Sequence, residues 1–349
     1  MVYGSCLTLN VRGRHSWHIH GCRGRIGNMI SAVIPVLNEE ESLPEFYKRL
    51  SASLAKVNKS YEIIFIDDGS TDGSLALLQK FAAKDKRIKI FSFRKNQGKS
   101  EGLTLGFQMA KGDYIVTLDA DLQDLPEEIG KMYKKAQEGY ELVAGWRKNR
   151  KDPIHKVISS KLFNYIAKIF WGLELHDYNC GLKLYASEAA KSLRMYGGMH
   201  RFIPLLVYGQ GFLVTEIPVV HKSRVYGKSK YGFSKLWKDM PDILTMLFLT
   251  KYGKRPLHFF GSLGGTLLII GLLVLSYLSY LHFAGHPIGD RPLLLLGIVL
   301  LLSGLQVLVT GFLADLVINL SQTPRNIEER FHFHLKYDST KRGVDNISL

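Results

Sequence analysis

From Met29 to Arg147 the chain alternates between two hydrophobic periods. "ISAVIPV", "YEIIFID", "IKIFSF", "DYIVTLD" and "ELVAGWR" are short, nearly continuous apolar runs rich in Ile and Val, the pattern of strands buried on both faces. Between them lie "NEEESLPEFYKRLSASLAKV", "LALLQKFAAK", "NQGKSEGLTLGFQMAKG" and "PEEIGKMYKKAQEGY", with apolar positions three or four apart, as in amphipathic helices. Acids open the first helix, the turn "DGSTDGS" caps the second, glycines lead the third and Pro126 starts the fourth, each a helix-start signal. Strand and helix in alternation predict an α/β fold: a Rossmann-like, mainly parallel sheet covered on both faces. Ligands of such sheets sit beyond the carboxyl ends of the strands. Residues 152 to about 220 are less regular, with a helix expected in "KVISSKLFNYIAKIFWGL" and a strand in "FLVTEIPVVH".

A third pattern follows. From Phe259 to Leu281, and again from Leu293 to Ala314, no Asp, Glu, Lys or Arg occurs. Each run exceeds the roughly 20 residues needed to cross a bilayer core. Buried core helices would show a polar face over such a length, so the expectation is two transmembrane helices, 257–283 and 292–320, followed by a tail, 321–349. Just before them, "FSKLWKDMPDILTMLFLTKY" mixes Lys with Leu, Phe, Met and Trp. Residues 233–256 are therefore expected as helices lying in the membrane interface.

The formal net charge of +15 could point to nucleic acid, but its location argues otherwise. Residues 222–255 hold nine Lys or Arg against Asp239 and Asp242, next to the first span. The loop between the spans carries only Asp290 and Arg291. The positive-inside rule then puts both ends in the cytoplasm, and the basic residues face anionic headgroups. The expected location is the cytoplasmic (inner) membrane. Three scattered cysteines, Cys6, Cys22 and Cys180, suit a reducing compartment. Residues 1–28 hold four Arg and no acid. They read as an extension ahead of the domain 29–232, and their His/Cys cluster lacks the paired spacing of a zinc site.

"VTLDADLQD" turns from a buried strand straight into three aspartates. Asp119 and Asp121 are separated only by Ala120, and like charges that close are costly unless a cation compensates them. An Asp-x-Asp pair at a strand end suits a hard divalent ion that also takes phosphate oxygens and water. Alone the motif is weak, but other strand ends agree. "IPVLNEEESL" closes the first strand, "IDDGSTDGS" the second, and "NQGKSEGL" places Lys99 on a glycine loop after the third.

With these four motifs in order, residues 29 to about 147 resemble the family 2 glycosyltransferases, whose fold is called GT-A. "DADLQDLPE", "GWRKNRKDP", "HDYNCGLKLY", "HRFIP", "EIPVVHKSRVYGKSKYG" and the terminal helix hairpin extend the resemblance to about Leu320. They are similar to the polyprenyl-phosphate glycosyltransferases, which include dolichyl-phosphate mannose synthase and the bacterial undecaprenyl-phosphate glucosyl and aminoarabinosyl transferases. The resemblance implies inverting transfer of one hexose from a nucleotide-sugar, GDP-mannose or UDP-glucose in type, to a dolichyl or undecaprenyl phosphate at the cytoplasmic face. It implies that Pro35, Asn38, Glu39, Asp67 and Asp68 hold the nucleotide, with Lys99 and Ala120 in the same site. Asp119, Asp121 and Gln123 would hold metal (Mg2+ or Mn2+), diphosphate and sugar. Arg147, Arg224, Lys228 and Lys230, with Ser229 among them, would meet phosphates of donor or acceptor. Many relatives are oligomers, so a homo-oligomer is a further possibility.

The acceptor chemistry agrees with those cations. A phosphomonoester, with its second pKa near 6, is already mostly a dianion at neutral pH. It needs cations against the donor diphosphate more than a strong base, and "HKSRVYGKSKYG" supplies them on a glycine-hinged loop. Asp177 could touch the sugar or cap a turn. Cys180 reads as packed core. Two other readings remain: a processive polysaccharide synthase, whose Gln-x-x-Arg-Trp motif is absent, and a non-catalytic membrane scaffold that binds a nucleotide-sugar.

Overall fold

The computed structural model describes residues 29–58, 60–148, 172–222, 245, 248, 252–253, 255–289, 292–321 and 335–338. The expected extension 1–28, the helix expected from residue 156, most of the interface segment 233–256 and most of the tail lie outside these residues.

The five expected strands form: β1 (Ile30–Val36), β2 (Tyr61–Asp67), β3 (Ile88–Phe93), β4 (Tyr114–Thr117) and β5 (Leu142–Trp146). So do the four helices between them: α1 (Leu43–Val57), α2 (Ser74–Lys84), α3 (Lys99–Met109) and α4 (Ile129–Ala136). Then come β6 (Lys183–Ala186), α5 (Ser187–Ser192), α6 (Ile203–Gly209) and β7 (Val214–Pro218). The sheet has eight strands in the order β7-β5-β6-β4-β1-β2-β3-β8, where β8 is Leu335–Asp338. β1 pairs in parallel with β2 and β4, β2 with β3, and β5 with β7. Only β6 and β8 run the other way.

Period-two alternation explains why both faces are covered. Ile30, Ala32 and Ile34 of β1 turn to the face packed by Phe46, Leu50 and Leu54 of α1 and Ile129 and Met132 of α4. Val33 turns to the opposite face, with Leu103 and Phe107 of α3. All of these side chains are almost fully buried, and each of the larger ones, Ala32 apart, contributes about 1.5–3 kcal/mol of hydrophobic stabilisation. Gly106 lets α3 approach that closely. A Cβ there would sit 2.2 Å from Val33 Cγ1.

The chain runs β1, β2, β3 to one side, then returns to place β4 on the other side of β1. The strand order reverses at that point, which opens a crevice beyond the carboxyl ends of β1 and β4.

Two apolar helices follow, α7 (Pro256–Phe283) and α8 (Pro292–Ser321). Their most apolar stretches have mean hydropathies of 2.1 and 2.5, and little of either is buried. Leu273 is 65% and Leu320 70% exposed, which no soluble core helix would allow. They form an antiparallel hairpin that closes through glycines: a Cβ on Gly304 would lie 2.7 Å from Leu268 N, and one on Gly271 2.8 Å from Leu301 N. Small residues at such a seam let backbones touch where the hydrophobic effect gives no drive.

One element falls where only a tail is expected. Within the tail, β8 pairs antiparallel with β3, placing Tyr337 opposite Ser92. A four-residue edge strand is too short to show a period, and its partner lies more than 200 residues away in sequence. Gly304→Val should force the two helices apart and cost about 1–3 kcal/mol. Thermal unfolding in detergent should show it as a lowered Tm, while the conservative Gly265→Ala, where a Cβ meets nothing within 4 Å, should leave Tm unchanged.

Candidate active site

Six parallel strand ends and the loop that enters antiparallel β6 converge on one edge of the sheet. β1 leads to Asn38, β2 to Asp67 and Asp68, β3 to Lys99, β4 to Asp119 and Asp121, β5 to Arg147, and β7 to His221. Residues 176–182 arrive at the same edge before β6. Among the described residues, positive φ outside glycine occurs only at Asn38 (56°) and Leu122 (61°), both on this edge. A leucine in that conformation is strained. Its side chain, 4% exposed within the core, holds the turn that presents Asp121 and Gln123.

Asp119 pairs with Lys99 from the first turn of α3. Loss of solvent favours neutral forms of both, but their mutual attraction wins. Against burial, Asp119, Asp124 and Asp121 raise the Lys99 pKa, and Lys99, with Lys183, lowers that of Asp119. The compensating cation expected from the sequence is thus supplied in part by the protein. A cavity of about 20 Å³ adjoins the pair, lined by Pro35, Thr117, Gly181, Lys183, Tyr185 and His200 as well. Lys183 is 3% exposed and donates from Nζ to the Cys180 carbonyl. Burial, with Lys99 and Arg147 nearby, pulls its pKa down to about 8. Burial and Lys99 likewise push His200 down to about 3, so it is neutral at physiological pH. The Ser100 hydroxyl donates to Gly197 O at 2.7 Å, so in its 3.0 Å contact with Ser100 Oγ it is His200 Nδ1 that carries the proton.

The nucleotide-side residues are brought together, though several hold the loops themselves. Asp67 accepts from Ser92 Oγ at 2.6 Å and Ser70 N at 3.1 Å. Asn38 Oδ1 accepts from Thr71 N at 2.8 Å, which ties the β1 exit to the β2 exit. Glu39 accepts from Ser42 Oγ at 3.0 Å. Asp68 accepts from Gln97 N at 2.7 Å and Gly98 N at 3.0 Å, and burial outweighs these bonds to raise its pKa. Pro35 lines the cavity, and Ala120 is 2% exposed.

Arg147 was expected to meet phosphate. Its guanidinium is held by Asp177, Nε to Oδ2 at 2.6 Å and Nη2 to Oδ1 at 3.0 Å, with both side chains largely buried. Burial opposes the charge, yet the Asp177 contact raises the Arg147 pKa. Of the two roles left open for Asp177, the structure shows turn capping: Asn179 N donates to Oδ1 at 3.2 Å. Cys180 is fully buried and its thiol pKa is pushed well up, first by burial and then by Asp124. That suits packing, not nucleophilic attack. Arg224, Lys228, Ser229 and Lys230 lie outside the described residues. Asp124, Lys183, His200 and His221 were given no role from sequence, although each stands inside or beside a quoted motif. Nothing in spacing alone separates them from ordinary core residues.

The acidic pair fits a hard divalent ion by its donor chemistry. Asp121, 9% exposed, accepts from Gln123 N at 3.2 Å, and Asp119 already holds a cationic ammonium. Among the described residues no group of three or more His, Cys, Asp or Glu could cage a metal. Two carboxylates suit an ion that completes its shell with phosphate oxygens and water.

The family described as Glycosyl transferase family 2 matches residues 31–194. The chain is 38% identical over 294 residues to a dodecaprenyl-phosphate galacturonate synthase of Rhizobium johnstonii, covering 82% of this chain and 87% of that protein. The chain belongs to the family 2 glycosyltransferases. Within that family it falls among the polyprenyl-phosphate glycosyltransferases. It is also 34% identical over 291 residues to an undecaprenyl-phosphate 4-deoxy-4-formamido-L-arabinose transferase of Pseudomonas paraeruginosa, covering 82% of this chain and 84% of that one. The crystal structure of glucosyl-3-phosphoglycerate synthase from Mycobacterium tuberculosis with Mn2+, UDP and phosphoglyceric acid matches with a TM-score of 0.51 at 18% identity. It covers 64% of this chain and 78% of that one, and shares the GT-A fold.

In this glycosyltransferase Gly181 makes room for the acids. A Cβ there would lie 2.8 Å from Asp119 Oδ2 and 3.0 Å from Asp124 Oδ2. Gly181→Ala should displace the Asp119 carboxylate and lower kcat/KM by roughly ten- to a hundredfold. Tm should fall as well, because Asp124, the other side chain that must shift, is buried and accepts from Leu182 N.

Proposed function

We propose that this glycosyltransferase moves one hexose from a nucleotide-sugar, GDP-mannose or UDP-glucose in type, to a polyprenyl phosphate of the dolichyl or undecaprenyl kind. The observation that carries this reading is the Asp119–Asp121 pair at the β4 end, in the crevice where the strand order reverses, in a chain whose next elements are an apolar hairpin. Asp68 and the glycine turn at Gly98 cradle the nucleotide, and Asp119, Asp121 and Gln123 face the diphosphate and sugar. When bound there, Mg2+ or Mn2+ supplies positive charge beside the diphosphate. The Mn2+ and UDP of the mycobacterial structure support this assignment. An oxygen of the lipid phosphate attacks the anomeric carbon from the face opposite the diphosphate. The bond to the diphosphate breaks, its electron pair leaves with the nucleoside diphosphate, and the configuration inverts. Arg224, Lys228 and Lys230 bind the acceptor phosphate, and Ser229 lies among them.

The chain leaves the sheet after β7, passes up and down the hairpin and re-enters the sheet as β8. That return favours both ends of the hairpin lying on the side of the catalytic domain. With the basic segment before the first span, this side is the cytoplasmic face of the inner membrane. Residues 29–232, joined by β8 from the tail, are then the catalytic domain, with the hairpin as anchor.

A donor carrying a carboxylate is a second reading. Two ammonium groups, Lys99 and Lys183, border the cavity beside Asp119, and the sugar named for the Rhizobium relative, galacturonate, is such an acid.

Purified protein in detergent, given labelled donor, Mg2+ and undecaprenyl phosphate, should yield a lipid-extractable labelled monosaccharide. A long polymer, or donor binding without product, would overturn the proposal. Asp121→Ala should cut transfer by more than about a hundredfold, and activity that persists in chelator would remove the metal from the account. A thermal-shift series of GDP-mannose, UDP-glucose and UDP-galacturonate decides the donor. On the second reading only the uronate stabilises strongly, and Lys183→Met abolishes that preference.

A further inference from the structure

The donor loop carries a third aspartate, Asp124, which is 3% exposed. Its one carboxylate joins three separate segments. Oδ1 accepts from His221 Nδ1 at 2.9 Å, while Oδ2 accepts from Leu182 N at 3.1 Å and lies 3.8 Å from Cys180 Sγ. Because an ionised carboxylate only accepts, Nδ1 is the protonated nitrogen of His221. The backbones are stitched as well. Asp124 and His221 form an isolated antiparallel bridge, and Lys222 N donates to Gln123 O at 2.9 Å. Gln123 Nε2 reaches back to Lys222 O at 3.4 Å.

These contacts fasten the stretch after β7 to the loop that ends in Asp119, Asp121 and Gln123. His221 stands three residues before Arg224 in sequence, so fixing His221 fixes one end of the segment that carries the acceptor cations. Nothing in the transfer chemistry requires Asp124 or His221 to touch a substrate, and Asp124 Oδ1 and His221 Nδ1 face each other.

We propose that Asp124 and His221 are positioning residues: a buried clasp that holds the root of the basic segment 224–230 against the donor loop, so that acceptor phosphate and donor sugar meet in line. The clasp rests on the reading that this segment takes the lipid phosphate. A buried hydrogen bond to a charged partner is strong and directional, and a small misplacement of a reacting group costs rate steeply.

The test compares His221→Ala, His221→Asn, His221→Gln and Arg224→Ala in the full-length protein, reading the donor Kd, the KM for undecaprenyl phosphate, and kcat. His221→Ala should raise the acceptor KM by about tenfold and leave the donor Kd within about twofold. Asn, whose amide nitrogen can take the place of Nδ1, should restore most of the loss. Gln, whose amide falls nearer Nε2, should not. The Asn and Gln variants keep a polar side chain of similar bulk, so their contrast still decides the matter if the alanine variant fails to fold. If Arg224→Ala raises the acceptor KM and His221→Ala does not, the clasp is wrong while the acceptor reading stands. If neither raises it, both fall. If donor Kd and acceptor KM worsen together, or Asn and Gln behave alike, His221 is a general support of the fold and the proposal is overturned.

Discussion

Two carboxylates one residue apart at the end of a buried strand repel each other and lose solvent, and the rest of the site is arranged around that repulsion. Asp119 is compensated by Lys99, delivered by the first turn of α3, and that turn depends on Gly98 at a φ of 97°. The approach of residues 180–182 depends on the missing side chain of Gly181. The turn itself depends on Leu122, whose buried side chain holds a backbone conformation that leucine disfavours. Strain of this sort costs of order 1–3 kcal/mol and persists only when the surroundings over-determine it. Here the hydrophobic face below β4 does so.

The same constraint decides where the site can lie. A parallel sheet buried on both faces leaves only its edges to solvent, and at the β1–β4 reversal two loops diverge and leave a crevice. Charges that must be hydrated, or met by a charged ligand, can be gathered there without opening the core. The hairpin adds no residue to this edge among those described. It confines a soluble-type sheet to a surface where a lipid acceptor is concentrated, which turns a three-dimensional search into a local one.

Much of this was legible in the sequence, for identifiable reasons. β1 to β5 and α1 to α4 were read because each keeps its hydrophobic period over several residues and is bounded by glycine, proline or acidic caps. Asp67, Asp68, Asp119 and Asp121 were read because strand ends are where such sheets bind ligands. β8 was not, being a four-residue edge strand that pairs far along the chain. The resemblance implies a phosphate role for Arg147, but no pattern shows that Asp177, from a loop 30 residues away, holds its guanidinium. Lys183, His200 and His221 are invisible to pattern for the same reason. Their significance lies in which groups the tertiary fold sets beside them.

The proton-accepting groups on this edge of the sheet bear on the choice of acceptor. Asp177 is clamped by Arg147, Asp124 by His221 and Leu182, and Asp67 by Ser92 and Ser70. His200 stays neutral, but its pKa near 3 makes it a poor base at neutral pH. A sugar hydroxyl would need one of these groups to take its proton during attack. A phosphomonoester dianion brings its charge with it and asks only for cations. The basic segment after His221 is rich in them, and Asp177, Asp124 and Asp67 are occupied in holding the loops. Such an edge is better equipped to steer an ionised nucleophile than to create one.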